Sequence, residues 1–287
     1  MKQEYVEKRF NRKSNRMIET AEQIIQKYQS IDLRLTLRQL YYQFVAHHGL
    51  PNTEKSYKNL GRLISDARLA GRIDWNAIED RGRVPDSPPD WDSAEEVVEA
   101  ALHQFRLPRR ADQDAYVELW VEKQALAGVL EPVARRHHIT LMVNKGYSSQ
   151  SAMYESAQRY LRHKDKTPVL LYLGDHDPSG EDMVRDIGAR LRTFRVDFIE
   201  VTKVALTMAQ VKQHNPPPNP AKLSDSRASK YIRKHGASSW EVDALDPETL
   251  VALIEKEILA HTQVRRFLNV IKEEKLQVAN VRKALGL

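Results

Sequence analysis

The 287-residue chain carries 45 Lys and Arg against 39 Asp and Glu, is 41% hydrophobic and contains no Cys. Disulfide scaffolds, thiolate zinc sites, iron–sulfur clusters and cysteine nucleophiles are therefore excluded, and no apolar run approaches the roughly 20 residues needed to span a bilayer. The first 30 residues are polar and charged rather than signal-peptide-like, so the expectation is a soluble, cytoplasmic, nucleoid-associated protein of one large or two ordinary domains.

The net charge of +6 is unevenly placed. Through Arg83 there are 16 Lys and Arg against 10 Asp and Glu, whereas the remainder holds 29 of each. A basic third joined to a neutral body suggests a polyanion-binding module, because lysine and arginine displace counterions from phosphates. A solvated basic surface fits the same numbers.

In chain order, Met17, Ala21, Ile24, Ile25 and Tyr28 recur at helical spacing within 15–29. A second helix begins at Thr36 as its cap and carries Leu37, Leu40, Tyr41 and Phe44 before His48-Gly49. A third, over 53–70, presents Tyr57, Leu60, Leu63, Ile64 and Ala67. Lys55, Lys58, Arg62, Arg68 and Arg72 on and just beyond it are candidate DNA-phosphate contacts. The Gly, Pro and Asp content of 81–89 reads as an exposed loop. Three helices followed by such a loop have the order of a winged helix-turn-helix, so residues 1–110 are expected to form a helical, CAP-like winged-helix domain that binds double-stranded DNA.

One further helix, 93–105, precedes a charged linker over 106–114. Residues 111–287 then change texture. Short β-rich runs at 116–121, 139–143, 169–173 and 196–201 alternate with helical patterns at 123–137, 149–163 and 180–192, and the tail is helical from Pro247 after a Pro-rich loop at 215–220. This alternation predicts an α/β domain with a mostly parallel sheet flanked by helices.

Sites in such sheets form at the carboxyl ends of the strands, and two ends here are acidic. The run 169–173 leads through Gly174 into Asp175-His176-Asp177-Pro178-Ser179-Gly180, and the first strand ends at Glu122-Lys123. Asp175 and Asp177, one residue apart, can project to the same side, with Glu122 as third ligand in preference to the deeper Glu118. Oxygen-only ligands suit Mg²⁺, with Mn²⁺ as an alternative. Asp177 or Ser179 could instead cap the following helix, with Asp182 completing a capping box. A calcium loop is rejected because an apolar strand leads in. Lys123 and Lys145 are candidates to neutralise phosphate. His47, His48, His137, His138 and His176 lack metal-ligand spacing, and strand parity points His176 away from the two aspartates. Gly146 and Gly180 are read as backbone requirements.

The ordered set Val121-Glu122-Lys123, Asn144-Lys145-Gly146-Tyr147 and Gly174-Asp175-His176-Asp177-Pro178-Ser179-Gly180 resembles the Toprim domain of the A subunit of type IIB topoisomerases (topoisomerase VI) and its meiotic double-strand-break relatives. Trp240-Glu241-Val242-Asp243-Ala244-Leu245-Asp246 resembles the Glu-Ala-Leu signature that follows that core, so the resemblance covers most of 30–260. It implies a compact, stand-alone A-type chain. Members of this kind cleave DNA with a tyrosine in an Arg-x-x-x-Tyr motif, which here is Arg38 to Tyr42. Leu37, Leu40, Tyr41 and Phe44 form one apolar stripe, assigning Tyr41 to the core, while Tyr42 lies about 100° around the helix and one turn from Arg38. Tyr42 is thus the expected nucleophile and Arg38 its electrostatic partner.

The implied product is a 5′-phosphotyrosyl double-strand break. The implied assembly is a homodimer whose sites each combine the tyrosine of one subunit with the metal of the other. No phosphate-binding ATPase loop is present, so ATP-driven strand passage would need a B-type ATPase subunit in another chain. Two alternatives stay open: a Toprim endonuclease that hydrolyses DNA without a covalent intermediate, and a non-catalytic winged-helix DNA-binding protein.

Overall fold

The computed structural model describes residues 2–31, 33–79, 88–144 and 149–286. Helix α1 (Arg12–Gln29) starts at an Asn11 cap and buries Ile18, Ala21, Ile24, Ile25 and Tyr28, the face its spacing predicts. After β1 (Leu35–Thr36), α2 (Leu37–His47) is closed by a reciprocal cap between Thr36 and Gln39. The third helix, α3 (Glu54–Leu69), begins at Thr53 and buries Leu60, Ile64 and Ala67. Strand β2 (Ile78–Glu79) pairs in parallel with β1. Of the expected wing, residues 80–87 lie outside the described residues. Helix α4 (Ala94–Gln104) follows from a Ser93 cap with no buried residue.

The second part is α/β. Strands β3 (Ala115–Val121), β4 (Thr140–Val143), β5 (Thr167–Leu173) and β6 (Glu200–Ala205) form a wholly parallel sheet in the order β4-β3-β5-β6. Alternate side chains serve opposite layers. Val117, Leu119 and Val121 meet Leu130 and Val133 of α5 (Ala127–His137) and Leu250, Ile254 and Ile258 of α10 (Pro247–Ala260). Trp120, Leu170 and Tyr172 meet α6 (Gln150–Arg162) and α7 (Pro178–Thr193). Both sheet faces are thus covered, as parallel sheets require.

The fourth strand lies four residues later than its apolar run suggests. Val196 is spent in the α6–α7 layer and Phe198 is 92% exposed, so the β-rich letters at 196–199 belong to a connection rather than to the ladder. Two short helices, α8 (Met208–His214) and α9 (Ala228–His235), escape prediction because neither is long enough to repeat a period. They flank β7 (Asn219–Pro220), which pairs antiparallel with β8 (Ser238–Ser239), and α11 (Val264–Leu285) closes the described chain.

The two parts are packed together. Val129 and Ala244 belong to the hydrophobic cluster of α1–α3, and the Tyr28 hydroxyl donates to Asp246. The segment read as a linker is held as well. Arg109 pairs with Glu274 at 2.6 Å, and Arg110 donates to the carbonyl of His261 at 3.0 Å. Those partners lie more than a hundred residues away in sequence, so the run looks solvated when read alone. Among the described residues no helix is long and apolar enough to cross a membrane.

One buried charge anchors the sheet. Glu118, fully buried in β3, accepts from the Tyr116 hydroxyl at 2.9 Å, the Trp120 indole at 2.8 Å and Arg159 of α6 at 2.7 Å. Removing Glu118 leaves the Tyr116 hydroxyl, the Trp120 indole and the half-buried Arg159 guanidinium without their shared acceptor. Glu118→Ala is expected to lower stability by about 3–5 kcal/mol in urea unfolding at neutral pH, with Glu118→Gln in between. An unchanged midpoint for Glu118→Ala would refute this account of the layer.

Candidate active site

Strands β3 and β5 end side by side, with Val121 opposite Leu173, and the ladder continues as Glu122 N–H donates to the Leu173 carbonyl at 3.0 Å. Partnered residues in a ladder share a face, so Glu122 stands beside Gly174 and Lys123 beside Asp175. The Lys123 ammonium accordingly lies 3.0 Å from Asp175 Oδ1, while Glu122 accepts from the Tyr172 hydroxyl at 3.3 Å. Glu122, Asp175 and Asp177 all bear on that phenol. Burial pushes its ionisation well above the ordinary range, and the Glu122 charge, then those of Asp175 and Asp177, push it further. All three carboxylates therefore lie within electrostatic reach of that one phenol. They do not converge tightly: among the described residues the set of three ligand-bearing side chains with atoms all within 4.8 Å is His176, Glu181 and His235.

Asp177 caps α7, accepting from Gly180 N–H at 2.6 Å, so the capping role falls to Asp177 rather than Ser179, and Asp182 pairs with Arg185 at 2.6 Å. Gly180 is a backbone requirement, since a Cβ there would run into the Asp175 carbonyl. A Cβ at Gly174 would meet the Tyr172 hydroxyl in the same way. Lys145 and Gly146 lie outside the described residues.

Asp175 accepts from Val242 N–H at 2.9 Å. Burial pushes its carboxyl up to about 7; Lys123 and the Val242 amide oppose this, and Asp243 and Glu122 add to it. The ammonium of Lys123 also lies 2.8 Å from Glu241 and 2.8 Å from the fully buried Asp243. Glu241 in turn accepts from Arg38 Nε at 3.0 Å and Nη2 at 2.6 Å. One ionic network thus runs from Arg38 on α2, through Glu241 and Asp243, to Lys123 and Asp175 at the sheet edge. Lys123, expected as a phosphate contact, is committed within it.

Tyr42 adjoins Arg38, its ring 6.0 Å from the guanidinium, as the one-turn spacing requires. It is nonetheless only 3% exposed, because it belongs to the hydrophobic cluster of α1–α3, with Asn219 and Glu241 beside it in the cleft. Burial pushes its phenol above the ordinary range; Asp243 and Glu241 add to this, while Arg38 and a hydrogen bond with Asn219 oppose it. Arg38, Tyr41, Tyr42, Asn52, Asn219 and Glu241 line a cleft of about 200 Å³. Tyr41 is buried as expected, its hydroxyl donating to Asn52 Oδ1 at 3.1 Å.

The basic residues of α3 divide. Lys55 and Arg62 are exposed, as is Lys58, which pairs with Glu54 at 2.6 Å. Arg68 covers the Trp75 ring at 4.6 Å and donates to its carbonyl at 2.6 Å, and Arg72 donates to Asn15 at 3.2 Å. The last two brace the fold.

Sequence reasoning missed Tyr172, Asn219, Glu241 and Asp243 as site residues. Glu241 and Asp243 did carry a signal, standing one residue apart as Asp175 and Asp177 do, in the stretch already singled out at 240–246. No protein-family model matches the chain, and no curated protein matches it in sequence. The class defined by the fold and this site is an α/β protein with an acidic cluster at the carboxyl edge of a parallel sheet.

The network has a pH signature. Burial alone would raise the Glu241 carboxyl, but Lys123 and Arg38 outweigh it and hold it down at about 2, against 4.5 when unfolded. As pH falls the unfolded chain takes up this proton first, so the stabilisation is complete above about 4.5 and is lost towards 2. Glu241→Gln is expected to be less stable than the parent by roughly 1–3 kcal/mol at pH 7, with the gap closing over that acid window in denaturant titrations. A gap independent of pH would show that the ion pairs are not its source.

Proposed function

We propose that this chain is a Mg²⁺-dependent DNA-cleaving enzyme of the topoisomerase VI A type, with a winged-helix part carrying Tyr42 and a Toprim part carrying Glu122, Asp175 and Asp177. The observation that carries the reading is the network from Arg38, beside Tyr42, to Asp175: direct ion pairs hold the tyrosine helix in a set relation to the acidic sheet edge, so that each chain presents both parts and a partner chain can complete each site. The donor set is all oxygen, as Mg²⁺ or Mn²⁺ prefers, and such ions need only one or two carboxylates when water and substrate phosphate complete the sphere. An ammonium already rests against Asp175 where positive charge is wanted. When bound, the metal supplies charge compensation for the phosphate and the departing oxygen.

In the reaction, the Tyr42 hydroxyl gives its proton to water and its oxygen attacks phosphorus, the bond from phosphorus to the 3′ oxygen breaks, that oxygen takes up a proton from water and leaves as a 3′-hydroxyl, and a 5′-phosphotyrosyl link remains. Arg38 offers charge to the phenolate or the entering phosphate. The exposed Lys55, Lys58 and Arg62 suit the duplex backbone. A specific observation favours a second reading, hydrolysis by water: Tyr42 is 3% exposed and its phenol is pushed up by burial, so it needs uncovering before it can attack.

Supercoiled plasmid incubated with the protein and Mg²⁺ or Mn²⁺, then denatured with detergent, is expected to yield ends that carry covalent protein, absent in Tyr42→Phe and Asp175→Ala. Cleavage by Tyr42→Phe with free ends would establish hydrolysis. No metal-dependent cleavage by the parent would leave a DNA-binding protein only. In the homodimer, a mixture of Tyr42→Phe and Asp175→Ala chains is expected to regain nicking, because one composite site per pair is intact. Silence of that mixture, with both parents dimeric by sedimentation, would place tyrosine and carboxylates of one chain in one site. Resealing with strand passage would call for an ATPase subunit on another chain.

A further inference from the structure

A second constellation lies on the other side of the acidic loop and plays no part in the proposed cleavage. His176, 1% exposed, turns away from its neighbours Asp175 and Asp177 and is fixed through its backbone, which exchanges two hydrogen bonds with Trp240 at 2.8 and 3.0 Å. Its Nδ1 is 2.7 Å from the Tyr231 hydroxyl, which is also 2.9 Å from the His176 carbonyl and 3.1 Å from that of Ser238. Carbonyls only accept, so the phenol proton goes to one of them and the phenol oxygen receives Nδ1–H. Nε2 then carries a lone pair, and it faces Glu181 at 3.7 Å, too far for a hydrogen bond. His235, the last residue of α9, brings Nε2 to 3.9 Å from the other oxygen of the same carboxylate, and the two imidazoles meet edge to face at 4.8 Å.

The Nε2 lone pair of His176, the His235 imidazole and the Glu181 carboxylate thus face one point with no hydrogen bond between imidazole and carboxylate, an arrangement that a cation resolves. Ligand atoms about 2.0–2.1 Å from a tetrahedral ion are about 3.4 Å apart; the two edges to Glu181, at 3.7 and 3.9 Å, are close to this, and the imidazole–imidazole edge, within 4.8 Å, closes by a small rotation of the His235 ring. The imidazole–carboxylate donor set selects against Mg²⁺, and the second ring nitrogen of a metal-bound histidine is held by an outer partner, the place that the Tyr231 hydroxyl takes behind His176. We infer that His176, Glu181 and His235 bind a divalent transition-metal ion of the zinc class, with the fourth position opening into the cavity beside Lys230 and Lys234. That cavity, about 210 Å³, is bordered by Glu181 and His235 and leaves room for a water or anion ligand. Lys203, 2.8 Å from Glu181, keeps the carboxylate oriented and by its charge makes the site weaker than a closed structural one. The ion would tie the start of α7 and the end of α9 to the loop that carries Asp175 and Asp177, bracing that loop without being one of its ligands.

The test is titration of the full chain with Co²⁺ and then Zn²⁺. The expected result is one equivalent of cobalt giving the visible absorption of a tetrahedral N/O site, displaced by zinc, with zinc raising the melting temperature. The band and the thermal shift should disappear in His235→Ala and Glu181→Gln, both checked as folded by far-ultraviolet circular dichroism, and persist in Asp175→Asn. Absence of the band in the parent, its survival in His235→Ala, or its loss in Asp175→Asn would each overturn the assignment.

Discussion

The ammonium group of Lys123, held among Asp175, Glu241 and Asp243, fixes the arrangement on which the site depends. Taking charges of this kind out of water costs several kcal/mol each unless every one finds a partner. The end of β3, the loop after β5 and the 241–243 turn must therefore come together as a unit, because withdrawing any one strands the others. Burial pushes the Asp243 carboxyl up and opposes the charge of Lys123, while Asp243, Asp175 and Glu241 together hold the lysine protonated.

The same unit reaches the N-terminal helices through Arg38. A guanidinium can meet two carboxylate oxygens at once, and Arg38 does so with Glu241, leaving its edge towards Tyr42. Tyr42 is thereby coupled to the sheet edge by charge as well as by the apolar packing that α1–α3 share with Val129 and Ala244. Packing within the α1–α3 cluster, with Asn219 and Glu241 alongside, lowers the access of Tyr42 to a substrate, so entry of a nucleic-acid backbone and opening of that cleft are one event in the proposed chemistry.

Register explains why three acidic residues at strand ends do not simply converge. With Val121 opposite Leu173, the position beside Asp175 is Lys123, and Glu122 falls beside Gly174, where the Tyr172 hydroxyl fills the space a side chain would need. A shift of one residue in that pairing would exchange the two faces. The parity that separates Glu122 from Asp175 also sends His176 to the opposite side, towards Tyr231 and His235.

Local chemistry was legible in the letters. The helix starts at Thr36 and Thr53, the apolar faces of α1–α3, the parallel α/β alternation, the proximity of Arg38 to Tyr42 and the divergence of His176 from Asp175 and Asp177 all follow from periods of 3.6 and 2 and from capping, which act over a few residues. The ladder register, the placing of Asn219 and Glu241 beside Tyr42, the pairing of Lys123 with Glu241 and Asp243, the clamping of 106–114 and the meeting of His176 with His235 were decided only by the tertiary structure. Each joins segments tens to hundreds of residues apart. Such encounters depend on how whole layers pack and on which buried charges find partners, and a one-dimensional pattern carries no term for either.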